Sequence, residues 1–203
     1  MNFLAHFHLS GTNEDIAIGN FLGDFLRGST KETRPLRINQ GIKLHQFIDH
    51  YTDTHPIVKQ VTQLLQPYFS KYAPVVSDVY FDYFLANHFT DYSSISLREY
   101  TNNVYDLIDR KRPLLTKRAL KFYEFLIVRD IFFEYGNLDG MTHVFNGLAS
   151  KAKFESNMEK AVSVLVKHEV ELYEMFKQFY PDLQKASHNF LNELLLENNE
   201  LSK

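Results

Sequence analysis

The sequence predicts a single all-α domain, folded as a bundle of helices. Apolar residues recur at three- and four-residue spacing along most of the chain, which is the period of an amphipathic helix. Breaks in this pattern are few, since only six prolines and eight glycines occur among 203 residues. The chain has no internal repeat or low-complexity tract, and its length is typical of one domain.

The first half of the chain contains four predicted long helices. A short apolar segment, residues 2–9, comes before them, and Thr12 or Asn13 can serve as the N-cap of the first. The polar stretch "GSTKETRP" predicts a loop after that helix. Pro56 ends the second helix, and Pro74 begins the fourth, because proline is tolerated in a first helical turn. The predicted ranges are 13–27, 36–54, 56–72 and 74–88.

The second half continues with helical periodicity only. Short polar or proline-containing stretches separate the predicted helices, and Pro181 is expected to divide the last two. The predicted ranges are 96–110, 114–135, 139–149, 155–179 and 182–197.

Composition narrows the classes of function. The absence of cysteine excludes disulfides, thiolate metal sites and cysteine nucleophiles, and is compatible with a reducing cytoplasm. A formal net charge of −3 argues against a nucleic-acid-binding protein. The amino terminus has no basic segment of the signal-peptide type, and no apolar run approaches the roughly 18 residues of a membrane span. We therefore expect a cytoplasmic protein that binds neither nucleic acid nor membrane.

The helix predicted over residues 36–54 carries ionisable groups on its apolar side. His45, Asp49 and Asp53 recur at four-residue steps, which places them at about 0°, 40° and 80° around the helix. Three isoleucines lie on or beside the same arc: Ile38, Ile42 and Ile48. The predicted solvent face holds Lys43, Gln46 and His50. A buried carboxylate costs several kcal/mol unless it is compensated, and a divalent cation compensates it well.

Two other predicted helices repeat this pattern. Asp78 and Asp82 stand one turn apart, with His88 about 80° from Asp78, and Asn20 and Asp24 are similarly spaced. Helical bundles build metal sites from side chains on facing helices, so one shared site would explain all three helices. Oxygen ligands with one or two imidazoles favour Mn²⁺, Mg²⁺ or Fe²⁺.

Structural explanations remain open for several of these residues. His6 taken alone is typical of a hydrogen-bonded core histidine. Asn20 fits an interhelical polar network as well as a functional site, and Asp53 fits an N-cap of the following helix. A purely structural explanation is weaker for one set of four residues: His45, Asp49, Asp78 and Asp24. Three acids and an imidazole on buried arcs carry more charge than hydrogen bonds within the core readily satisfy.

Six segments resemble, in order and nearly end to end, those of the acyl-carrier-protein phosphodiesterase family: "MNFLAHFHLS", "GNFLGDFLRG", "GIKLHQFIDHYTDTHP", "DVYFDYFLANHF", "NGLASK" and "QFYPDL". The resemblance implies an all-helical phosphopantetheine hydrolase, akin to HD-domain metal phosphohydrolases. The family's motif blocks are matched here by Asp24, by His45, Asp49, Thr52 and Asp53, and by Asp78, Asp82 and His88. Two positions depart from the expected pattern, since Gln46 replaces a basic residue and Tyr83 replaces a histidine.

The implied reaction is hydrolysis of the phosphodiester that joins 4'-phosphopantetheine to a serine of holo acyl carrier protein, with Mn²⁺ or Mg²⁺ required. The residues permit this chemistry, because a divalent cation polarises a phosphoryl oxygen and lowers the pKa of a bound water. The expected ligands are Asp24, His45, Asp49 and Asp78. The expected acid and base groups are Asp82 or Asp53 for the water, and His88 or His6 for the leaving oxygen or the phosphate.

Cationic residues are candidates for contacts with the phosphate and with the acidic carrier protein. Arg27, three residues after Asp24, is a candidate phosphate ligand, as is Asn20. A basic stretch offers a docking surface for the carrier through Arg110, Lys111, Arg112, Lys117 and Arg118. The same stretch is also compatible with an ordinary solvated helix start.

Two other functions remain alternatives. One is a different metal-dependent phosphohydrolase on the same scaffold, acting on a nucleotide or a small phosphodiester. The other is a non-catalytic helical binding module. The chain contains neither a P-loop glycine motif nor a G-x-S-x-G segment, so nucleotide-dependent phosphoryl transfer and serine hydrolysis have no support.

Overall fold

The structure is a computed structural model that describes residues 1–26 and 34–200. Its described part is helical without strands, which confirms the predicted all-α fold. The α-helices are α1 (Phe3–His8), α2 (Glu14–Leu22), α3 (Leu36–Thr54), α4 (Pro56–Phe69), α5 (Ala73–Asn87), α6 (Leu97–Arg110), α7 (Lys117–Val128), α8 (Ile131–Glu134), α9 (Leu138–Ala149) and α10 (Ala161–Glu200). None of these helices combines the length and hydropathy needed to cross a bilayer.

Helices α2 and α3 pack with their backbones almost in contact. A Cβ on Gly19 would lie 2.1 Å from the Ile38 carbonyl oxygen, and a Cβ on Gly41 would lie 2.1 Å from that of Ile16. No other residue permits this approach, because any side chain would force the two helices apart. The close crossing brings Asn20 of α2 against His45 of α3.

Helix α3 is amphipathic in the predicted sense. Its isoleucines and His45 are buried, and its opposite face, with Lys43, Gln46 and His50, is exposed as predicted. Helix α5 is buried nearly all round, which is typical of a central helix. Helix α1 lies against α5, and this contact places the amino-terminal residues beside the acids of α5.

The predicted helix over 114–135 is wrong as a single element. Helix α7 ends at Val128, and Asp130 takes the left-handed conformation with φ +48° before α8 begins. Aspartate tolerates this region better than most residues. The Asp130 carboxylate is also held by Arg98, so the turn is stabilised by a contact distant in sequence.

The predicted break at Pro181 is also wrong, because α10 continues through it. Proline removes one helical hydrogen bond and crowds the preceding turn. Its neighbours Phe179, Tyr180 and Leu183 are fully buried, and their packing keeps the segment helical. The start of this helix lies later than predicted, at Ala161, after a 3-10 turn over Met158–Lys160.

The first predicted long helix, 13–27, is shorter in the structure. Asn13 caps α2 as expected, since its side chain accepts from the backbone N–H groups of Asp15 and Ile16. The α-helix then ends at Leu22, and a 3-10 turn over Gly23–Phe25 follows. The predicted end at Arg27 lies outside the described residues.

Candidate functional site

Two histidines and an aspartate converge where α1, α2 and α3 meet. His6 Nε2 lies 3.2 Å from Asp49 Oδ1, and His45 Nε2 lies 3.1 Å from Asp49 Oδ2. The two imidazole rings stack with centroids 4.4 Å apart. One ligand atom from each of these three residues lies within 4.8 Å of the others, a separation that a single metal ion can bridge.

Asn20 orients both histidines. Its Oδ1 accepts from Nδ1 of His6 at 2.8 Å and faces Nδ1 of His45 at 3.3 Å. Its Nδ2 donates to the His6 carbonyl oxygen at 2.8 Å and to Ser10 Oγ at 2.9 Å. A carbonyl oxygen only accepts, so this bond determines which way the amide points. Both Nδ1 atoms must then carry the proton, and Nε2 of each ring points towards Asp49.

This tautomer suits a cation. Burial, followed by the nearby charge of His45, lowers the pKa of His6, which favours its neutral ring. A neutral ring with its proton on Nδ1 presents an Nε2 lone pair to the Asp49 carboxylate. Burial opposes ionisation of Asp49, but where the two rings are protonated, hydrogen bonds from His45 and His6 outweigh burial and lower the pKa of this carboxyl. Where the rings are neutral, their Nε2 lone pairs face the carboxylate and repel it, and a divalent cation between them removes the repulsion, so the donor set fits a metal.

Asp24 approaches the cluster from the turn after α2. Its Oδ1 lies 3.7 Å from His45 Nε2, and its side chain is exposed. The turn depends on Gly23, because a Cβ there would lie 2.2 Å from Cγ of His45. Asp24 therefore lies at the solvent-facing edge of the cluster, outside the three converging ligand atoms, beside a ring that can approach only because Gly23 has no side chain.

Asp78 lies beside the cluster and has a different partner. Its Oδ1 accepts a hydrogen bond from the α-amino group of Met1 at 3.0 Å, with the Met1 side chain fully buried. Burial raises the pKa of Asp78, and the charges of Asp49 and Asp53 add to this effect, while the ammonium opposes it. The structure does not bring Asp78 into the group of converging ligand atoms, although Asp78 and Asp24 line one cleft.

Asp82 is fully buried and ties α1 to α5. Its two carboxylate oxygens accept from the backbone N–H groups of Leu4 at 2.8 Å and Ala5 at 3.3 Å. Burial raises its pKa to about 7, against the opposing effect of these hydrogen bonds. In this position Asp82 anchors the first turn of α1, directly before His6 in the chain.

The raised pKa of Asp82 predicts a loss of stability as pH rises. The folded protein retains the Asp82 proton up to about pH 7, whereas the unfolded chain releases it near its ordinary value of 3.8. Between these values the folded state binds more protons, so the free energy of unfolding falls with rising pH, by up to about 4 kcal/mol. Asp82→Asn cannot titrate and should lack this slope. Urea unfolding of the chelator-treated wild type and Asp82→Asn proteins from pH 4 to 7 measures this slope. Equal slopes in the two proteins would refute the raised pKa of Asp82.

A cleft of about 720 Å³ begins at Asp24 and Asp78. Its wall is aromatic, with Phe3 and Phe122 rings 4.7 Å apart and Phe25 5.4 Å from Phe122. Three exposed cations also line it: Arg118, Lys121 and Lys151. The cleft therefore combines carboxylates, an apolar wall and positive charge, which suits a phosphorylated ligand with an organic arm.

Two residues predicted for acid–base roles lie away from the His6–His45–Asp49 cluster. His88 stacks on Tyr173 at 4.0 Å and lies 3.9 Å from Asp91, about 15 Å along the axis from Asp78. Asp53 is exposed and lines a second cleft of about 400 Å³ that also includes Asp78. It does not cap α4, because His55 Nδ1 accepts the hydrogen bond from Ile57 N–H.

The predicted basic stretch divides into two parts. Arg110 and Lys111 form ion pairs with Glu14 and Asp15 of α2, and Arg112 pairs with Asp109. These three cations are therefore neutralised by neighbouring acids. Lys117 and Arg118 begin α7, and Arg118 reaches the cleft. Arg27, the predicted phosphate ligand, lies outside the described residues.

Sequence reasoning did not identify several residues that build this site. Ser10 accepts a hydrogen bond from Asn20, the missing side chain of Gly23 lets His45 approach, and Lys151 lines the cleft. Lys121 belongs to the basic stretch that the sequence offers for contact with the carrier, and the structure places it at the cleft. Asn20, predicted as a phosphate ligand, is fully buried and uses its amide to hold the two histidines.

Comparison with known proteins gives a consistent result. A family model described as "Acyl carrier protein phosphodiesterase" matches residues 1–183. Relatives named acyl carrier protein phosphodiesterase include one from Enterobacter sp. (strain 638), 30% identical over 93% of this chain and 98% of its own length. Another, from Escherichia coli O139:H28, is 31% identical over 94% of this chain and its entire length. No solved structure shows significant similarity. The chain therefore belongs to the acyl carrier protein phosphodiesterase family.

Proposed function

We propose that this protein, acting in the cytoplasm, hydrolyses the phosphodiester between 4'-phosphopantetheine and the serine of holo acyl carrier protein. The observation that carries the proposal is the cluster of His6, His45 and Asp49, with Asp24 connecting it to a cleft lined by cations and aromatic rings. Membership of the family supports the same substrate.

We assign a divalent cation, Mn²⁺, Mg²⁺ or Fe²⁺, to His6, His45, Asp49 and Asp24. The donor set contains nitrogen and carboxylate oxygen without sulfur, which suits these metals. A bound cation would supply Lewis-acid polarisation of the phosphoryl group and of the attacking water. This assignment replaces Asp78 of the predicted set by His6, since Asp78 is held by the α-amino group of Met1.

The chain's own residues complete the reaction. We assign to Asp78, which lines the cleft, the role of accepting the proton of the attacking water and passing it to the leaving serine oxygen, so that the step balances. Arg118 and Lys121 stand one turn apart on α7 and offset the negative charge of the phosphodiester. Asn20 keeps both Nδ1 atoms protonated, so that Nε2 of each histidine stays available as a ligand.

The test is the mass of the carrier. Purified protein is incubated with Mn²⁺ and holo acyl carrier protein, with a chelator-treated sample as the control. We expect the carrier to lose the whole phosphopantetheine group only when the metal is present. An unchanged carrier mass together with turnover of small phosphodiesters would indicate a different phosphohydrolase, and no turnover of either substrate would indicate a binding module.

The cations around the cleft should control association with the acidic carrier. We expect replacement of Lys117 and Arg118 by glutamine to slow association at low salt, and we expect this effect to disappear at high salt. Neutralising Arg110 and Arg112 with glutamine is the matched control, because their charges are already paired with Glu14 and Asp109. Stopped-flow association at two ionic strengths measures both, and equal effects of the two pairs of substitutions would contradict the prediction.

A further inference from the structure

The segment "NGLASK", residues 146–151, builds a feature that the proposed chemistry does not use. Gly147, Leu148 and Lys151 line a smaller cavity of about 110 Å³ beside the cleft. We call this cavity the annex. Other residues that line it include Phe125, Ile131, Tyr135 and Val144. The annex and the cleft share six lining residues: Asn2, Phe3, Phe122, Phe125, Leu148 and Lys151. Asp24 and Asp78 line the cleft but not the annex.

Gly147 has no conformational or packing reason to be glycine. It belongs to α9 and does not have a positive φ. A Cβ at this position would meet no atom within 4 Å. Glycine destabilises a helix relative to alanine. The absence of a side chain at Gly147 therefore keeps space open on the wall of the annex.

The annex is apolar with a few polar groups at its edge. The Tyr135 hydroxyl accepts a hydrogen bond from Asn2 Nδ2 at 2.9 Å, and accepting it does not use the phenolic proton. Lys151 is exposed, with Nζ 5.4 Å from the Phe125 ring centroid. A pocket of this kind takes a slender apolar group attached to a chain with hydrogen-bonding groups.

We infer that the annex holds the thiol end of the phosphopantetheine arm. The inference rests on the proposed function, because that function places the phosphate at the acidic end of the cleft. The arm then follows the aromatic wall, and its two-carbon thiol terminus enters between Gly147 and Phe125. Amide oxygens of the arm accept hydrogen bonds from Tyr135 or Lys151. The annex would thus recognise the part of the substrate furthest from the bond that is cleaved.

The experiment uses pantetheine, which lacks the phosphate and the carrier protein. Methyl NMR titration of the full chain should shift the resonances of Ile131, Val144 and Leu148 and leave those of Val58 and Leu183 unchanged. Gly147→Leu should weaken pantetheine binding about tenfold or more, the scale on which a hydrophobic pocket discriminates small changes in volume. Thr142→Leu places the same side chain on an exposed position of α9 and is the matched control.

The outcomes separate the annex from the proposed reaction. Equal pantetheine affinity in Gly147→Leu and wild type, or shifts outside the annex, would overturn the inference. Annex shifts in wild type support it even if Gly147→Leu does not fold. Hydrolysis of holo carrier by wild type is measured in parallel. If the wild type binds pantetheine in the annex but does not hydrolyse holo carrier, only the proposed reaction is rejected. If it hydrolyses holo carrier but does not bind pantetheine in the annex, only the role of the annex is rejected.

Discussion

Asp49→Asn is expected to lower Mn²⁺-dependent hydrolysis of holo carrier by at least about 100-fold, since even residues that only support metal ligands contribute 10- to 100-fold. The two Asp49 oxygens are the atoms that face Nε2 of both histidines, so the substitution removes the negative charge at the centre of the cluster. Metal affinity should fall in parallel.

The same variant should keep its stability without metal. The asparagine amide has the shape of the carboxylate and can donate to one Nε2, so we expect the free energy of unfolding to change by no more than about 1 kcal/mol. Chelator-stripped urea unfolding and calorimetric Mn²⁺ titration measure the two effects. Asp182→Asn is the matched control, because it removes a carboxylate 3.9 Å from His55, remote from the cleft. A destabilised but fully active Asp49→Asn protein would show that Asp49 is a structural residue.

Gly23→Ala should separate activity from stability. The new Cβ would lie 2.2 Å from Cγ of His45, so the imidazole must move away from Asn20 and Asp49. A displacement of about 1 Å at a reactive site can cost about 100-fold in rate, and we expect a loss of this size in hydrolysis. The obstructing atoms belong to a side chain, so the cost in stability should remain about 1 to 3 kcal/mol.

Gly41→Ala is the informative comparison. Its Cβ would meet the Ile16 carbonyl oxygen at 2.1 Å, which is backbone and cannot rotate away. We expect a cost of about 3 kcal/mol or more, since overpacking at this contact separates α2 from α3. Thermal unfolding and initial rates on both variants provide the test. If Gly23→Ala retains full activity, His45 is not a ligand in the position described.

The sequence alone was sufficient to predict the all-α fold and the pairing of His45 with Asp49 on one helix of the site. His45 and Asp49 are four residues apart, and helical geometry places such residues one above the other whatever surrounds the helix. Their shared arc with buried isoleucines was predicted for the same reason. The resemblance of short segments was sufficient to identify the family, because six segments in the same order are more specific than any single segment.

The tertiary structure decided which other residues join that pair. His6 reaches Asp49 from a helix more than forty residues earlier, and Asn20 meets His45 because Gly19 and Gly41 let α2 and α3 touch. Asp82 has the spacing of a site residue, yet two backbone N–H groups of α1 occupy its oxygens. Periodicity reports which residues share a face of one helix. It does not report how closely two helices cross or which backbone N–H groups donate to a carboxylate. Both features depend on contacts between segments that are distant in the chain.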